Sequence, residues 1–174
     1  MGLIDVLIQG RRSAEAVDIA LQMLRSDLAP SVRYDLWRRL AQVYQSAGDS
    51  ANAALYSYRL FKSLPPPENE QWRTLLMQSV EHMDGPGVHG LWDQIDDPQI
   101  RAEMMYRYAM VQMAAGNDGD ALGLLTAFRS AFPGHPKGSE ADNLIRELTQ
   151  RLSFAPHTLG CLLPLSGSHQ AYGQ

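Results

Sequence analysis

Residues 37–65 read WRRLAQVYQSAGDSANAALYSYRLFKSLP, and this stretch carries the strongest structural signal in the chain. Gly48-Asp49 separates two runs in which apolar residues recur at helical spacing, because glycine accepts the left-handed backbone that ends many helices and aspartate favours turns. Pro65 cannot donate a helical hydrogen bond and therefore ends the second run. The stretch predicts two antiparallel helices joined by a short turn.

Features of this stretch return 68 positions later, which is twice a spacing of 34 residues. The pairs are Gly48 with Gly116, Ala53 with Ala121, Leu60 with Phe128, and Pro65 with Pro133. A fixed period of this length is typical of helical repeat proteins, in which each unit is one pair of helices. The period divides the body of the chain into units at 34–67, 68–101 and 102–135.

The middle unit departs from the pattern. Its tryptophan, Trp72, lies one position later than Trp37 lies in the first unit, and Gly85-Pro86-Gly87 interrupts the turn between its two helices. The apolar residues that follow, Val88 and Leu91 among them, still fall on one helical face. We therefore expect a short second helix in this unit.

One further helix is predicted on each side of the three units. Before them, Ser13 is a candidate N-cap for a helix with an apolar face. After them, Ser139 is a candidate N-cap for a helix with one apolar and one polar face, as the outermost helix of a stack requires. We expect about eight helices in a domain at residues 1–153.

The repeat resembles the tetratricopeptide family. The residues that carry the resemblance in the first copy are Trp37, Leu40, Ala41, Tyr44, Gly48, Asp49, Ala53 and Pro65. The second copy keeps Tyr108 and Ala109 and departs at Gln112, where the family prefers an apolar or aromatic residue. The resemblance implies an all-α solenoid of helical hairpins that binds a protein partner along a groove lined by its first helices. The groove positions carried over are Asp35, Arg38, Gln42, Gln45, Glu103, Tyr106, Met110 and Met113.

Residues 159–174 read LGCLLPLSGSHQAYGQ and leave the helical pattern. An apolar run at 159–165 that leads into a Ser-Gly turn is typical of a buried strand feeding a loop. A lone strand cannot satisfy its own backbone hydrogen bonds. We therefore expect residues 154–174 to be a linker and one orphan strand, the first strand and loop of a second domain that this sequence does not complete.

The tail resembles the start of type I periplasmic binding proteins, which open with an apolar strand, a Pro-Leu-Ser-Gly turn and a Tyr-Gly pair. Backbone N–H groups at such a strand-to-helix turn favour an anionic ligand. The resemblance implies ligand-loop positions at Ser166, Gly167, Ser168 and Tyr172, in a cleft that the rest of that fold would complete.

Composition narrows the classes of function. The 174 residues carry a net charge of −4, which argues against general nucleic-acid binding. No apolar run approaches the ~20 residues of a membrane-spanning helix. The run from Gly2 to Ile8 is too short for a signal peptide and contains Asp5, so we expect Met1 to begin a fragment. Cys161 is the single cysteine, which leaves no disulfide framework.

Two histidine–aspartate pairs, His82 with Asp84 and His89 with Asp93, superficially look like metal ligands. His89 and Asp93 could share a helix face, but the Gly-Pro-Gly segment separates the two pairs and no spacing is diagnostic. The sequence shows no nucleophile elbow, catalytic triad or phosphate loop. We therefore expect no catalytic residue, no cofactor and no metal, and interpret the chain as a non-enzymatic protein.

Helical repeats placed directly before a type I binding domain resemble the penicillin-binding protein activator family of outer-membrane lipoproteins. The resemblance implies a periplasmic protein, held at the outer membrane by a lipid anchor that this chain lacks, that regulates a peptidoglycan synthase by contact. Two alternatives stay open: the helical leader of a transport or sensing receptor for amino-acid-like ligands, and a cytoplasmic tetratricopeptide adaptor.

Overall fold

The computed structural model describes residues 3–10 and 12–153, and these residues form nine α-helices and no strand. The prediction of an all-α chain is confirmed for these residues, while the predicted C-terminal strand lies outside them. The helices are α1 Leu3–Gln9, α2 Ser13–Met23, α3 Pro30–Ser46, α4 Ser50–Ser63, α5 Glu70–Glu81, α6 Gly85–Leu91, α7 Pro98–Ala114, α8 Asp118–Ala131 and α9 Gly138–Ser153.

The helix that the sequence pattern does not reveal is α1. It is 7 residues long, so its apolar residues span too few turns to show a period. Ile4 and Leu7 are buried in a cluster that also holds Ala16 and Ala20 of α2. Isolated helices of this length are unstable in water. Tertiary packing against α2 therefore forms this helix.

Proline and aspartate mark several helix starts. Pro30 and Pro98 occupy the first turns of α3 and α7, where a missing N–H costs nothing. Asp49 and Asp97 accept backbone N–H groups at the starts of α4 and α7. The two serines proposed as N-caps lie inside their helices instead. Ser13 is the first residue of α2, and α9 begins one residue before Ser139.

The turns after α3 and α7 have the same hydrogen bonds. Gly48 and Gly116 have φ angles of 75° and 78°. The N–H of Asp49 donates to the carbonyl of Tyr44 and that of Gly48 to Gln45 at 2.9 and 3.1 Å, and equivalent bonds of 2.9 and 3.0 Å close the turn at Gly116. This glycine-ended pattern satisfies the last carbonyls of a helix and requires the left-handed backbone. The predicted turns at both positions are confirmed.

A pair of alanine substitutions tests these turns. We expect Gly116→Ala to lower the free energy of unfolding by about 1 kcal/mol, because a Cβ strains the left-handed backbone. Gly123→Ala is the matched control, since a Cβ there meets nothing within 4 Å in the middle of α8. The control should raise stability by ~0.5–1 kcal/mol. Urea denaturation followed by circular dichroism measures both, and a shift of the same sign in both variants would contradict the assignment.

Most helices pack on their neighbours in sequence. The contacts join α1 to α2, α2 to α3, α3 to α4, α4 to α5, α7 to α8 and α8 to α9. The order changes around α6, which contacts α4 and α7, while α5 contacts α7. Three core clusters follow along the chain, the first centred on α1–α5, the second on α4–α7 and the third on α7–α9.

The middle unit has the expected short second helix, because α6 has 7 residues whereas α4 and α8 have 14 each. Gly85-Pro86-Gly87 was expected to interrupt the turn, but it forms the first turn of α6. Asp84 caps this turn, since its Oδ1 accepts the N–H of Gly87 at 2.8 Å. Val88 and Leu91 are buried in the second cluster as the sequence predicted.

A hydrogen-bonded group joins α4 to the segment after α6. The Tyr58 hydroxyl donates to the Asp96 carboxylate and accepts from the Asp96 N–H at 3.1 Å. Lys62 Nζ lies 3.2 Å from the same carboxylate. The hydrogen bond from Tyr58 and then that from Lys62 lower the pKa of Asp96 below its ordinary value of 3.8. A carboxylate with a lowered pKa stabilises the fold above its unfolded pKa, and this contribution is lost as the pH falls through the folded pKa.

We expect Tyr58→Phe to raise the pKa of Asp96 toward 3.8, because the ring stays and its donor is removed. Carboxyl ¹³C chemical shifts measured between about pH 2 and 6 follow this titration. Because the pKa of Asp96 is lower in the wild type, its contribution to stability should be lost at a lower pH in the wild type than in the variant. Tyr34→Phe is the control, since the Tyr34 hydroxyl has no hydrogen bond to Asp96. An unchanged pKa of Asp96 in Tyr58→Phe would refute the assignment.

Candidate partner-binding surface

The predicted groove residues of α3 lie at its surface. Asp35 and Arg38 form an exposed ion pair of 2.8 Å between Oδ1 and Nη1. Gln42 is exposed, and Gln45 lines a polar depression shared with the C-terminal end of α5, where Gln78 and neighbouring residues lie. These four positions are therefore accessible at the surface of α3.

The predicted groove residues of α7 converge. Glu103, Tyr106 and Met110 line one cavity of about 140 Å³. Its other walls come from Val80 and Glu81 of α5, from Arg107 of α7 and from Lys137 before α9. Met113 is half-buried and packs against the third core cluster. The structure thus brings three of the four α7 residues together between α5, α7 and the start of α9.

Two side chains contact the carboxylate of Glu103. Lys137 Nζ lies 2.8 Å from Oε2, and His135 Nε2 lies 3.3 Å from Oε1. The backbone N–H of Lys137 donates to His135 Nδ1 at 3.3 Å, so Nδ1 is the acceptor and Nε2 carries the proton that faces Glu103. The His135 side chain is 4% exposed and its ring packs edge-on against Phe128. Glu103 is therefore fixed in position before any partner arrives.

Tyr106 forms the buried wall of the cavity. It is 5% exposed, its ring lies 4.8 Å from Lys137 Nζ, and its hydroxyl is buried beside the Glu140 carboxylate. Burial raises the pKa of Tyr106, and the carboxylates of Glu140 and Glu103 raise it further. The phenol therefore stays protonated at neutral pH.

Sequence reasoning missed Glu81, Arg107, His135 and Lys137. Lys137 had a usable signal, because it follows Glu103 by 34 positions, which is the spacing found in the sequence. The Asp5–Arg39 ion pair has the same separation of 34. Arg107 donates from Nε to the carbonyl of Met83 at 2.8 Å, a contact that ties α7 to the end of α5 and has no sequence signature.

A second depression lies on the other side of α7. It is an apolar cavity of about 180 Å³, lined by Val88, His89, Trp92, Met105, Tyr108 and Leu124. Met105 and Tyr108 project roughly opposite to Glu103 and Met110, given ~3.6 residues per helical turn. The His89 ring packs edge-on against Tyr108 at 5.5 Å between centroids.

The remaining candidate sites give little structural information. The His82 ring nitrogen Nδ1 contacts the carbonyl of Gln78 at 2.8 Å, and residues 3–10 and 12–153 contain no group of three or more possible metal ligands. None of the helices within those ranges has the length and apolar character needed to cross a bilayer. The ligand-loop positions Ser166, Gly167, Ser168 and Tyr172, like Cys161, lie outside the described residues.

Comparison of the chain with protein-family models, curated proteins and solved structures found no match.

Proposed function

We propose that residues 1–153 form a tetratricopeptide-like solenoid that acts as a non-catalytic protein-binding module. Three features support the repeat. Gly48 and Gly116 end helices with the same hydrogen bonds. Ion pairs join residues 34 positions apart at Asp5–Arg39 and Glu103–Lys137. Most helices contact their neighbours in sequence, as stacked hairpins do.

The convergence of Glu103, Tyr106 and Met110 on one cavity is the observation that carries the proposed binding function. The cavity offers a fixed carboxylate, a buried phenol and a flexible thioether, together with the charges of Lys137 and Arg107. Methionine adapts to the shape of a bound side chain, and tyrosine and arginine are enriched in protein interfaces. Glu81 also lines the polar depression that contains Gln45 of α3.

The biological setting of the proposal rests on the sequence resemblance. We infer that the module is the helical part of a periplasmic, binding-protein-like lipoprotein, anchored in the outer membrane, whose second domain begins within residues 154–174. In this setting the protein partner is a peptidoglycan synthase that the module regulates by contact. The net charge of −4 makes nucleic acid an unfavourable partner.

A binding measurement with a purified peptidoglycan synthase tests this proposal. We expect the wild-type chain to bind, and Met110→Lys to weaken binding by about tenfold, because it places an ammonium group in a half-buried cavity. Met23→Lys is the matched control, since Met23 is exposed on α2 at 38%. Circular dichroism verifies that both variants fold.

The outcomes separate the parts of the proposal. Failure of the synthase to bind the wild-type chain would refute this partner. Equal binding by Met110→Lys and the wild type would refute the cavity as the contact site. If a longer chain that includes the complete downstream domain bound a free amino acid and no synthase, the helical module would instead be the leader of a transport or sensing receptor.

A further inference from the structure

The apolar cavity beside α6 lies where the second helix of the middle unit is short. Helices α4 and α8 have 14 residues and α6 has 7, a difference of about two helical turns. In stacked hairpins, neighbouring second helices cover part of the first helix between them. The shortness of α6 therefore leaves Met105 and Tyr108 of α7 and Leu124 of α8 around an open apolar cavity.

The cavity has the size and chemistry for one aromatic side chain. Its volume is about 180 Å³, and a dry apolar cavity of ~150 Å³ in another protein binds benzene. Trp92 and Tyr108 supply ring faces and edges, and Val88, Met105 and Leu124 supply aliphatic surface. His89 is the single titratable imidazole in the lining. The Arg101 guanidinium lies 5.8 Å from the Trp92 ring, a cation–π contact that favours the observed position of the indole.

The cavity continues into a shallow groove along α8. The two depressions share Tyr108 and Leu124, and the second adds Gln112, Gly119, Asp120, Gly123 and Ala127. Gly119 and Gly123 are four positions apart, and a Cβ built on either meets nothing within 4 Å. A smooth, open helix face of this kind lets another backbone approach closely.

Two exposed aspartates belong to the segments that form the groove. Asp93 directly follows Trp92, and Asp120 lines the shallow part. Both side chains are exposed, and neither makes an ion pair or a hydrogen bond with another described residue. Arg101, whose guanidinium lies 5.8 Å from the Trp92 ring, already donates to the carbonyl of Ile95. An occupant therefore meets the unpaired carboxylate of Asp120 in the groove, and the unpaired carboxylate of Asp93 lies one residue beyond Trp92.

We propose that this groove binds a short cationic amphipathic helix of a partner protein, with one aromatic side chain in the cavity between α6, α7 and α8. The helix fills the two turns that α6 lacks, its apolar face covers Tyr108 and Leu124, and its lysine or arginine residues face Asp93 and Asp120. Helix-in-groove recognition uses such an apolar face for affinity, and charge complementarity sets partner choice. This surface is separate from the Glu103–Met110 cavity.

The test uses the full chain and three synthetic helical peptides of about 14 residues, which is the length of α4 and α8. The first has one tryptophan and leucines on one face and lysines on the other, the second has glutamate in place of every lysine, and the third is a scrambled form of the first. We expect saturable binding of the lysine peptide alone by isothermal titration calorimetry. Amide chemical-shift changes in ¹⁵N NMR spectra should fall on α6, on Tyr108 and around Gly123.

Two pairs of variants define the site. Gly123→Trp fills the groove and should weaken binding of the lysine peptide about tenfold, or ~1.4 kcal/mol. Gly134→Trp is its control, at an open position in the turn before α9. The double variant Asp93→Lys/Asp120→Lys should weaken binding at least as much. Its control is Asp18→Lys/Asp27→Lys, which makes the same change in net charge on α2 and the following loop and should leave binding unchanged.

Several results would overturn the proposal. The lysine peptide would fail to bind saturably, or the glutamate peptide would bind equally well. Gly134→Trp would weaken binding of the lysine peptide as much as Gly123→Trp does, or the amide chemical-shift changes would be confined to the side of α7 that carries Glu103. Concentration-dependent self-association of the wild-type chain, abolished by Gly123→Trp in sedimentation experiments, would assign the groove to a second copy and also overturn it. Wild-type-like NMR spectra of each free variant verify the fold.

Discussion

Leu125→Ala is expected to lower the free energy of unfolding by about 3 kcal/mol, because it leaves a cavity in a close-packed core. Leu125 lies in the middle of α8 and has no exposed surface. Its cluster holds Ala109 of α7 and Leu148 of α9, so its side chain lies where three helices meet. Denaturation in urea, followed by the helical circular dichroism signal, gives the change in stability.

Leu152→Ala is the matched control for this experiment. Leu152 belongs to the last turn of α9 and is 47% exposed, so truncation there removes little buried surface. We expect a loss within about 0.5 kcal/mol. If both variants lost the same small amount, the packing of α8 between α7 and α9 would be wrong. A changed denaturant slope in Leu125→Ala would instead report partial unfolding of the third cluster.

Gly87→Ala has the second-largest expected effect, a loss of about 2 kcal/mol from overpacking. A Cβ on Gly87 would lie 2.8 Å from Met83 Cγ and 2.8 Å from Asp84 Oδ1, and 3.2 Å from Ala51 Cβ. Met83 has no exposed surface into which it can move. Moving Asp84 would break the hydrogen bond that caps α6. The substitution therefore strains the contact between α4 and α6.

Gly90→Ala provides the comparison within the same helix. Its Cβ would meet nothing within 4 Å, so the higher helix propensity of alanine should raise stability by ~0.5–1 kcal/mol. Thermal and urea denaturation of the two variants should shift in opposite directions. A stabilising Gly87→Ala would mean that α6 does not pack closely on α4, and the groove beside α6 would then need another description.

The period of 34 residues predicted most of the helices because its signals are local. Glycine with a left-handed backbone, proline after a helix and apolar residues at helical spacing act within one turn or one helix. The sequence could not predict α1, whose stability depends on burying Ile4 and Leu7 against α2. It also misassigned Gly85-Pro86-Gly87, because the same residues suit a loop and the capped first turn of a helix.

The candidate site was predictable only in part. The tetratricopeptide resemblance carried Glu103, Tyr106 and Met110 over as groove positions on α7, and the structure has them in one cavity. How deeply each side chain is buried depends on the helices that pack over it. No local sequence pattern reports that packing. Lys137 and the segment before α9 cover Tyr106, so this ring serves as a wall and not as a wide contact surface. The sequence predicted that α6 is short. The apolar lining that α7 and α8 contribute beside it forms no local motif and appears only in the structure.

The ion pairs between residues 34 positions apart have a consequence for how the gene can change. Asp5–Arg39 and Glu103–Lys137 each span one period of 34 residues. An in-frame duplication or deletion of one whole period keeps the spacing of such pairs, whereas an insertion of a few codons within a helix disrupts it. Lineages that lengthen or shorten this domain should therefore differ by whole multiples of this period, with small insertions confined to the turns.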